Sequence, residues 1–264
     1  MISIIISTYR EEHYQKIAKN IKETIGQDFE IIPIENKGTY SIAEAYNLGA
    51  QKARYPFLCF VHEDIVFQTN NWGQILLKIM DGNNKIGLIG VAGTKLITKY
   101  SLGWHSSICA KKFLRGQLNQ GKNSYEEGYY ENFFPDGPPI DKVTSLDGIF
   151  LFTKKEIWQN NNFDEKIIKG FHGYDLDFSL QVVNRGYEAV ITKDILLHHY
   201  SYLGKINKDW FETNKRILKK WKQILPKTTD DLRLNKLLLC KINILFFIRY
   251  LKYQIKFFGK KENN

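Results

Sequence analysis

The chain has 264 residues, of which 43% are hydrophobic and 25% charged, with a net charge of +10. That composition excludes a disordered chain and fits one large domain or two small ones. Residues 205–264 hold 16 basic and 5 acidic residues (+11), leaving 22 basic and 23 acidic (−1) in the first 204. A neutral body with a basic tail lacks the spread-out positive surface of a nucleic-acid-binding protein, so no nucleic-acid partner is expected.

Cys59, Cys109 and Cys240 are widely spaced and form neither a disulfide framework nor a CxxC metal pattern, which suits a reducing cytosol. The amino-terminal run has no basic region before it and is not read as a signal peptide. No uncharged apolar window is long enough to span a bilayer.

Ile2 to Ile6 is a continuous β-branched run, the pattern of a strand buried on both faces. A helical pattern through Ile17, Ile21 and Ile25 stops near Gly26, and Glu30 to Ile34 is a second strand. Ser41 to Ala53 reads as a helix, with Ser41 at the N-cap and Glu44 completing a capping box. Phe57 to Val61 is a third buried strand. Strand–helix–strand–helix–strand within 65 residues predicts right-handed crossovers and a parallel sheet covered on both faces.

A helix around Trp72 to Met80 and a strand from Ile86 to Gly93 follow. Residues 113–141, rich in Gly, Asn and Tyr, read as a long loop, either disordered or functional. Strand-like sequence resumes at Ile149 to Phe152, then helices at Lys154 to Gln159 and Asp175 to Asn184, and a short strand at Ala189 to Ile191. Beyond residue 204, helices are predicted over Trp210 to Ile224 and Asp230 to Phe258.

In such sheets ligands bind outside the carboxyl ends of the strands. Three polar clusters fall there: Ser7-Thr8-Tyr9-Arg10, Glu35-Asn36 and His62-Glu63-Asp64. No GxGxxG follows the first strand and no GxxxxGK[ST] occurs, so dinucleotide-binding and P-loop readings lose their main support. Asp64, after a buried strand, is a candidate oxygen ligand for a hard divalent cation. His198 and His199 also follow an apolar stretch and offer imidazoles, although paired histidines after a strand are also commonly just solvated or hydrogen-bonded.

Asp175 and Asp177 stand at a predicted helix start, where the helix dipole alone favours them, so capping competes with a catalytic role. Residues i and i+2 do not share a helix face, so one can bond the backbone while the other serves as a general base in a cleft. Asp147-Gly148 reads equally as a turn before a strand.

Taken in order, these motifs, together with Phe163-Asp164-Glu165, Gly173-Tyr174-Asp175-Leu176-Asp177 and His199-Tyr200-Ser201, resemble family 2 glycosyltransferases of the GT-A fold over roughly residues 1–204. The resemblance implies a Rossmann-like α/β catalytic domain (1–204) with a mainly parallel sheet between helices, and a helical extension (205–264). It also implies inverting transfer of a sugar from a nucleotide-sugar donor, a UDP-sugar foremost, with Mn²⁺ or Mg²⁺. On that analogy Thr8, Tyr9, Arg10, Glu35 and Asn36 hold the nucleoside. Asp64 binds the metal, and His62 replaces the first aspartate of the DXD motif. Asp147 and Gly148 form the turn beside the donor sugar, and Asp175 is the base. Tyr174, in place of the family's glutamate, lies on the acceptor side with Asp177 and Trp104. His199, or alternatively His198, is the late metal ligand.

The implied acceptor is a hydroxyl of a glycan or lipid-linked intermediate in bacterial surface polysaccharide or lipopolysaccharide synthesis. Residues 113–141, as a functional loop, are expected on the acceptor side, where tyrosines suit sugar stacking. A nucleotidyltransferase on a similar sheet is the competing enzyme class, but the glycine- and basic-rich loop it needs after the first strand is lacking. A sugar- or partner-binding module without activity is the non-enzymatic alternative, kept open by His62 and Tyr174. The tail, apolar and basic at once, is expected to lie on an anionic membrane or a partner, with packing on the body or a second subunit as alternatives. The expected location is cytoplasmic, at the inner face of the membrane.

Overall fold

A computed structural model describes residues 1–104, 108–121, 129–200 and 206–259. The first half contains β1 (Ile2–Thr8), α1 (Glu11–Thr24), β2 (Phe29–Glu35), α2 (Ile42–Lys52), β3 (Phe57–His62), β4 (Ile65–Phe67), α3 (Trp72–Gly82), β5 (Ile86–Gly90), β6 (Ala92–Thr94) and β7 (Leu96–Ile97). After a 3₁₀ turn at Ile108–Phe113 come β8 (Leu114–Gln120), β9 (Tyr129–Asn132), β10 (Ile140–Val143), β11 (Ser145–Leu146), β12 (Phe150–Lys154) and α4 (Lys155–Asn160). The chain continues with α5 (Tyr174–Asn184), β13 (Glu188–Thr192), β14 (Leu197–His199), α6 (Lys208–Lys220), β15 (Lys227–Thr228) and α7 (Lys236–Phe258).

Seven strands make the central sheet in the order β10-β13-β5-β12-β3-β1-β2. As expected from the strand–helix alternation, β2, β1 and β3 are parallel. β5 and β13 are also parallel, while β12 runs against β3 and β5, and β10 against β13. β12 is reversed because the chain enters it from the edge at which β3 ends, pairing Phe150 with Val61. Asp147 and Gly148, just ahead of β12, therefore arrive beside His62. The continuous apolar run of β1 is explained by burial on both sides: Ile4 and Ile6 pack with Ile17, Ile21 and Trp72, while Ile5 packs with Ala43, Tyr46 and Phe60.

The single strand expected over 86–93 is two, and the long loop expected over 113–141 carries β8, β9 and the start of β10. The break comes where β6 leaves the central sheet to join a second one, ordered β11-β6-β8-β14-β4 with β9 on β8. Most of these strands are only two to four residues long, and β8 pairs with β6 and β14 as well as with its neighbour β9, so local periodicity does not reveal them. Residues 122–128 of that segment, and Ser201, lie outside the described residues. The second sheet positions the site, because antiparallel pairing of β14 with β4 sets His199 opposite Ile65.

Both tail helices form, although α7 starts at Lys236 rather than near Asp230. The preceding stretch is irregular and held by charge: Lys95, itself buried, bridges Asp141 (2.7 Å) and Asp231. Phe211 and Ile217 of α6 pack on Leu176 and Leu180 of α5, and Ile242 and Phe246 of α7 pack on Leu96 and Phe113. Packing on the body is thus realised. Among the described residues no helix is long and apolar enough to cross a membrane.

Candidate active site

A cleft of about 790 Å³ opens at the carboxyl ends of β1, β2 and β3. Residues 36 and 62–64 meet there with Asp147, Trp104 and His199. Of the clusters placed at the three strand ends, Tyr9 and Asn36 line the cleft, whereas Thr8 turns its hydroxyl onto the Ile34 carbonyl. Glu35 is exposed and pairs with Lys37 at 2.7 Å. Asn36 is fixed from both ends of its amide, donating to the Tyr40 carbonyl and accepting the Tyr40 N–H.

Arg10 enters through its backbone: its N–H and that of Tyr9 donate to the Glu63 carboxylate, at 3.1 and 2.7 Å. Glu63 was not among the expected site residues, yet it ties the end of β1 to the end of β3. Its place between His62 and Asp64 was the available signal.

Asp64, His62 and His199 each offer a ligand atom, all within 4.8 Å of one another. His62 Nδ1 lies 3.8 Å, and His199 Nε2 3.5 Å, from Asp64 Oδ1. Strand alternation separates the two candidate histidines: His199 turns to Asp64, while His198 is buried with its ring against Tyr200. Burial pushes the Asp64 carboxyl up, but the hydrogen bond from His199 and the neighbouring imidazoles outweigh it and hold the group at about 2. Burial lowers His62 to about 4, keeping it neutral, whereas Asp64 raises His199 against its own burial. Two imidazoles and a carboxylate are a donor set that fits a divalent transition cation, whereas Mg²⁺ takes oxygen ligands.

The second half of the site is acidic. Asp147 accepts the Ile149 N–H at 3.1 Å and a hydrogen bond from Trp104, and burial raises its pKa. Asp175, half-buried in the first turn of α5, is not among the residues that line the cleft but lies behind Asp147 and Gly148. Burial, together with the negative charge of Asp147, pushes it up to about 7, against the N–H groups of Leu176, Asp175 and Gly148. Asp175 thus bonds the helix terminus while its carboxyl titrates near neutrality.

Asp177 goes elsewhere. It is fully buried and accepts from Lys220 Nζ (2.8 Å), Trp221 Nε1 (2.7 Å) and Gln181 (3.0 Å), which ties α5 to the tail rather than to the cleft. Tyr174 donates its hydroxyl to the Gly148 carbonyl (2.9 Å) and contacts His62 Nε2 at 2.6 Å. Gly173 precedes α5 at φ +83°, where a side chain is strained and its Cβ would meet Ile217 of α6 at 2.5 Å.

The fold and the strand-end site define a GT-A glycosyltransferase framework. The chain belongs to the glycosyltransferase-like family, whose model matches residues 3–222 and so runs through α6. Among solved structures, the chain is similar to GalNAc-T7, in a crystal structure with UDP, GalNAc and Mn²⁺, with a TM-score of 0.57 at 10% identity. That match covers 98% of this chain but 56% of GalNAc-T7, so the chain spans about half that protein's length. It is also similar to residues 1–349 of S. aureus TarS in complex with UDP, with a TM-score of 0.54 at 11% identity over 97% of this chain and 73% of that one. No curated protein matches in sequence.

Proposed function

We propose that the chain transfers a sugar from a UDP-linked donor to a hydroxyl of a glycan or lipid-linked acceptor, with inversion and with a divalent cation. The observation that carries this reading is the convergence, at one sheet edge, of the His62–Asp64–His199 donor set with the acidic pair Asp147 and Asp175. UDP in both structural neighbours, and Mn²⁺ in one, support the same donor chemistry.

His62, Asp64 and His199 would hold the cation, which when bound stabilises negative charge on a departing pyrophosphate. Tyr9, braced by Glu63, and Asn36, braced by Tyr40, line the nucleoside end of the cleft. Asp147 and Gly148 flank the position of the transferred sugar. The acceptor oxygen attacks the anomeric carbon while the bond to the nucleotide breaks and the nucleotide leaves with its electron pair. The hydroxyl proton passes to Asp175, and a single displacement inverts the anomeric centre.

A panel of nucleotide sugars, scored for hydrolysis and for thermal stabilisation with Mn²⁺, Mg²⁺ or excess chelator, tests this. Stabilisation by UDP-sugars with Mn²⁺, lost on chelation, is the expected result; indifference to every nucleotide sugar would overturn it.

We also propose that the tail meets the anionic inner face of the cytoplasmic membrane, where lipid-linked acceptors of surface polysaccharide reside. The outer side of α7 exposes Leu237, Ile244, Ile248 and Ile255, and the helix carries Lys236, Lys241, Arg249, Lys252 and Lys256 without one acidic residue. Between α6 and α7 a cleft of about 400 Å³ is lined by Lys99, Lys215, Arg216 and Lys219, with Glu212 paired to Lys215 at 3.5 Å. Positive charge beside an apolar face fits acidic headgroups above acyl chains. Flotation with phosphatidylglycerol vesicles, but not phosphatidylcholine, should be lost in Ile248→Glu/Ile255→Glu. Equal flotation of both proteins, or a concentration-dependent dimer burying this face, sinks the idea.

A further inference from the structure

We propose that Tyr174 is a positioning residue: it fixes His62 as the Nε2–H tautomer, leaving the Nδ1 lone pair turned towards Asp64 and His199. The inference rests on the divalent-cation reading above and adds to it the residue that aims one of the ligands.

The proton arrangement follows from two contacts. The Tyr174 hydroxyl is 2.9 Å from the Gly148 carbonyl oxygen and 2.6 Å from His62 Nε2. A carbonyl oxygen only accepts, and the hydrogen bond from the phenol to Gly148 uses the single phenolic proton. The His62 contact is then a hydrogen bond only if Nε2 carries a proton and the Tyr174 oxygen receives it. A neutral imidazole has one N–H, so Nδ1 remains a lone pair. That nitrogen is the one 3.8 Å from Asp64 Oδ1, the same oxygen that His199 Nε2 approaches at 3.5 Å. The relay runs from backbone to phenol to imidazole to the donor set. An outer partner that fixes a ligating histidine's tautomer in this way governs its orientation and basicity.

The relay is built rigidly. Tyr174 is buried at the start of α5, with its ring edge-on to Tyr46 at 5.5 Å. A Cβ on Gly148 would stand 2.2 Å from the Tyr174 oxygen, so only glycine lets this carbonyl meet the phenol. His62 is anchored by its own backbone N–H, which donates to the Ile149 carbonyl at 3.1 Å, and its ring lies 5.2 Å from that of Phe171. The position at which the resemblance implies a glutamate thus has its own task here.

The test uses the full chain and Tyr174→Phe. Long-range ¹⁵N–¹H spectra of the metal-free protein, with the His62 signal assigned through His62→Gln, report which nitrogen is protonated. Titration with Mn²⁺ alone, followed by electron paramagnetic resonance, reports affinity. The expected result is Nε2–H in the wild type, and Mn²⁺ binding about 10- to 100-fold weaker in the phenylalanine variant. Protonation at Nδ1 in the wild type overturns the proposal, and so does equal Mn²⁺ affinity of the two proteins. A wild type that binds no Mn²⁺ sinks the cation reading, and the nitrogen shifts still decide the tautomer. If Tyr174→Phe fails to fold, the wild-type spectrum decides alone.

Discussion

Two groups of carboxylates, one buried and one half-buried, sit a few residues apart and are treated differently. In the framework that holds the tail, each carboxylate has cationic partners: Asp141 is gripped by Lys95 and Arg115 at 2.7 Å each, and Asp177 by Lys220 at 2.8 Å. At the sheet edge, Asp147 and Asp175 are half-buried near one another; burial raises both, and the charge of Asp147 adds to the rise of Asp175. Asp175 has no cation beside it and Asp147 only the His199 imidazole, which fits a candidate site with a task, whereas carboxylates gripped by lysine or arginine mark a joint. Asp175 and Asp177 make the contrast sharpest, being two residues apart on one helix turn.

The largest effect should come from Asp175→Asn. Loss of the base is expected to lower transfer by about 10²–10⁴-fold. A fall limited to a few-fold would abandon Asp175 as the base. Stability separates this from misfolding. The folded-state pKa of about 7 lies above the unfolded value, so ionisation destabilises the fold as pH rises through 7. The asparagine variant should therefore melt above the wild type at pH 8, and the advantage should vanish near pH 4. For the wild type, kcat/KM should fall with pH below about 7, with that limb absent from the variant's residual rate. Next in size, His199→Ala should weaken Mn²⁺ binding and lower transfer by about 10²-fold, while His198→Gln leaves Mn²⁺ affinity within a few-fold; the reverse ranking would reassign the ligand.

The sequence carried the half of this contrast that depends on strand ends. Continuous apolar runs ending in Ser7-Thr8-Tyr9, Glu35-Asn36 and His62-Glu63-Asp64 are local features, and parallel pairing of β1, β2 and β3 brings them to one edge. The choice of His199 over His198 needed the β14–β4 register, which no local pattern encodes. Asp175 was told from Asp177 only by the family resemblance, since helix spacing separates their directions without saying which one meets Lys220. The basic tail was legible as helix and as charge. What was hidden is that one of its lysines neutralises a carboxylate in the helix carrying the candidate base.

The smallest effect should fall on that joint. Lys220 reaches both Asp177 and Asp164 at 2.8 Å, and Trp221 and Gln181 complete the shell of Asp177. Lys220→Met keeps the stem and removes the charge, leaving Asp177 buried with neutral donors only. Breaking a fully buried pair costs about 3–5 kcal/mol. Lys220 is partly exposed and two donors remain, so about 2 kcal/mol is expected, a fall in Tm of about 4–8 °C. Transfer below the melting range should change by less than about threefold, because Asp177 faces the tail and Asp175 keeps its own backbone N–H donors. Loss of transfer with Tm unchanged would place Asp177 in the chemistry and erase the distinction between the two carboxylates. A lower Tm with transfer intact would keep the distinction, with Lys220 and Asp177 as the clamp that joins α6 to the helix carrying Asp175.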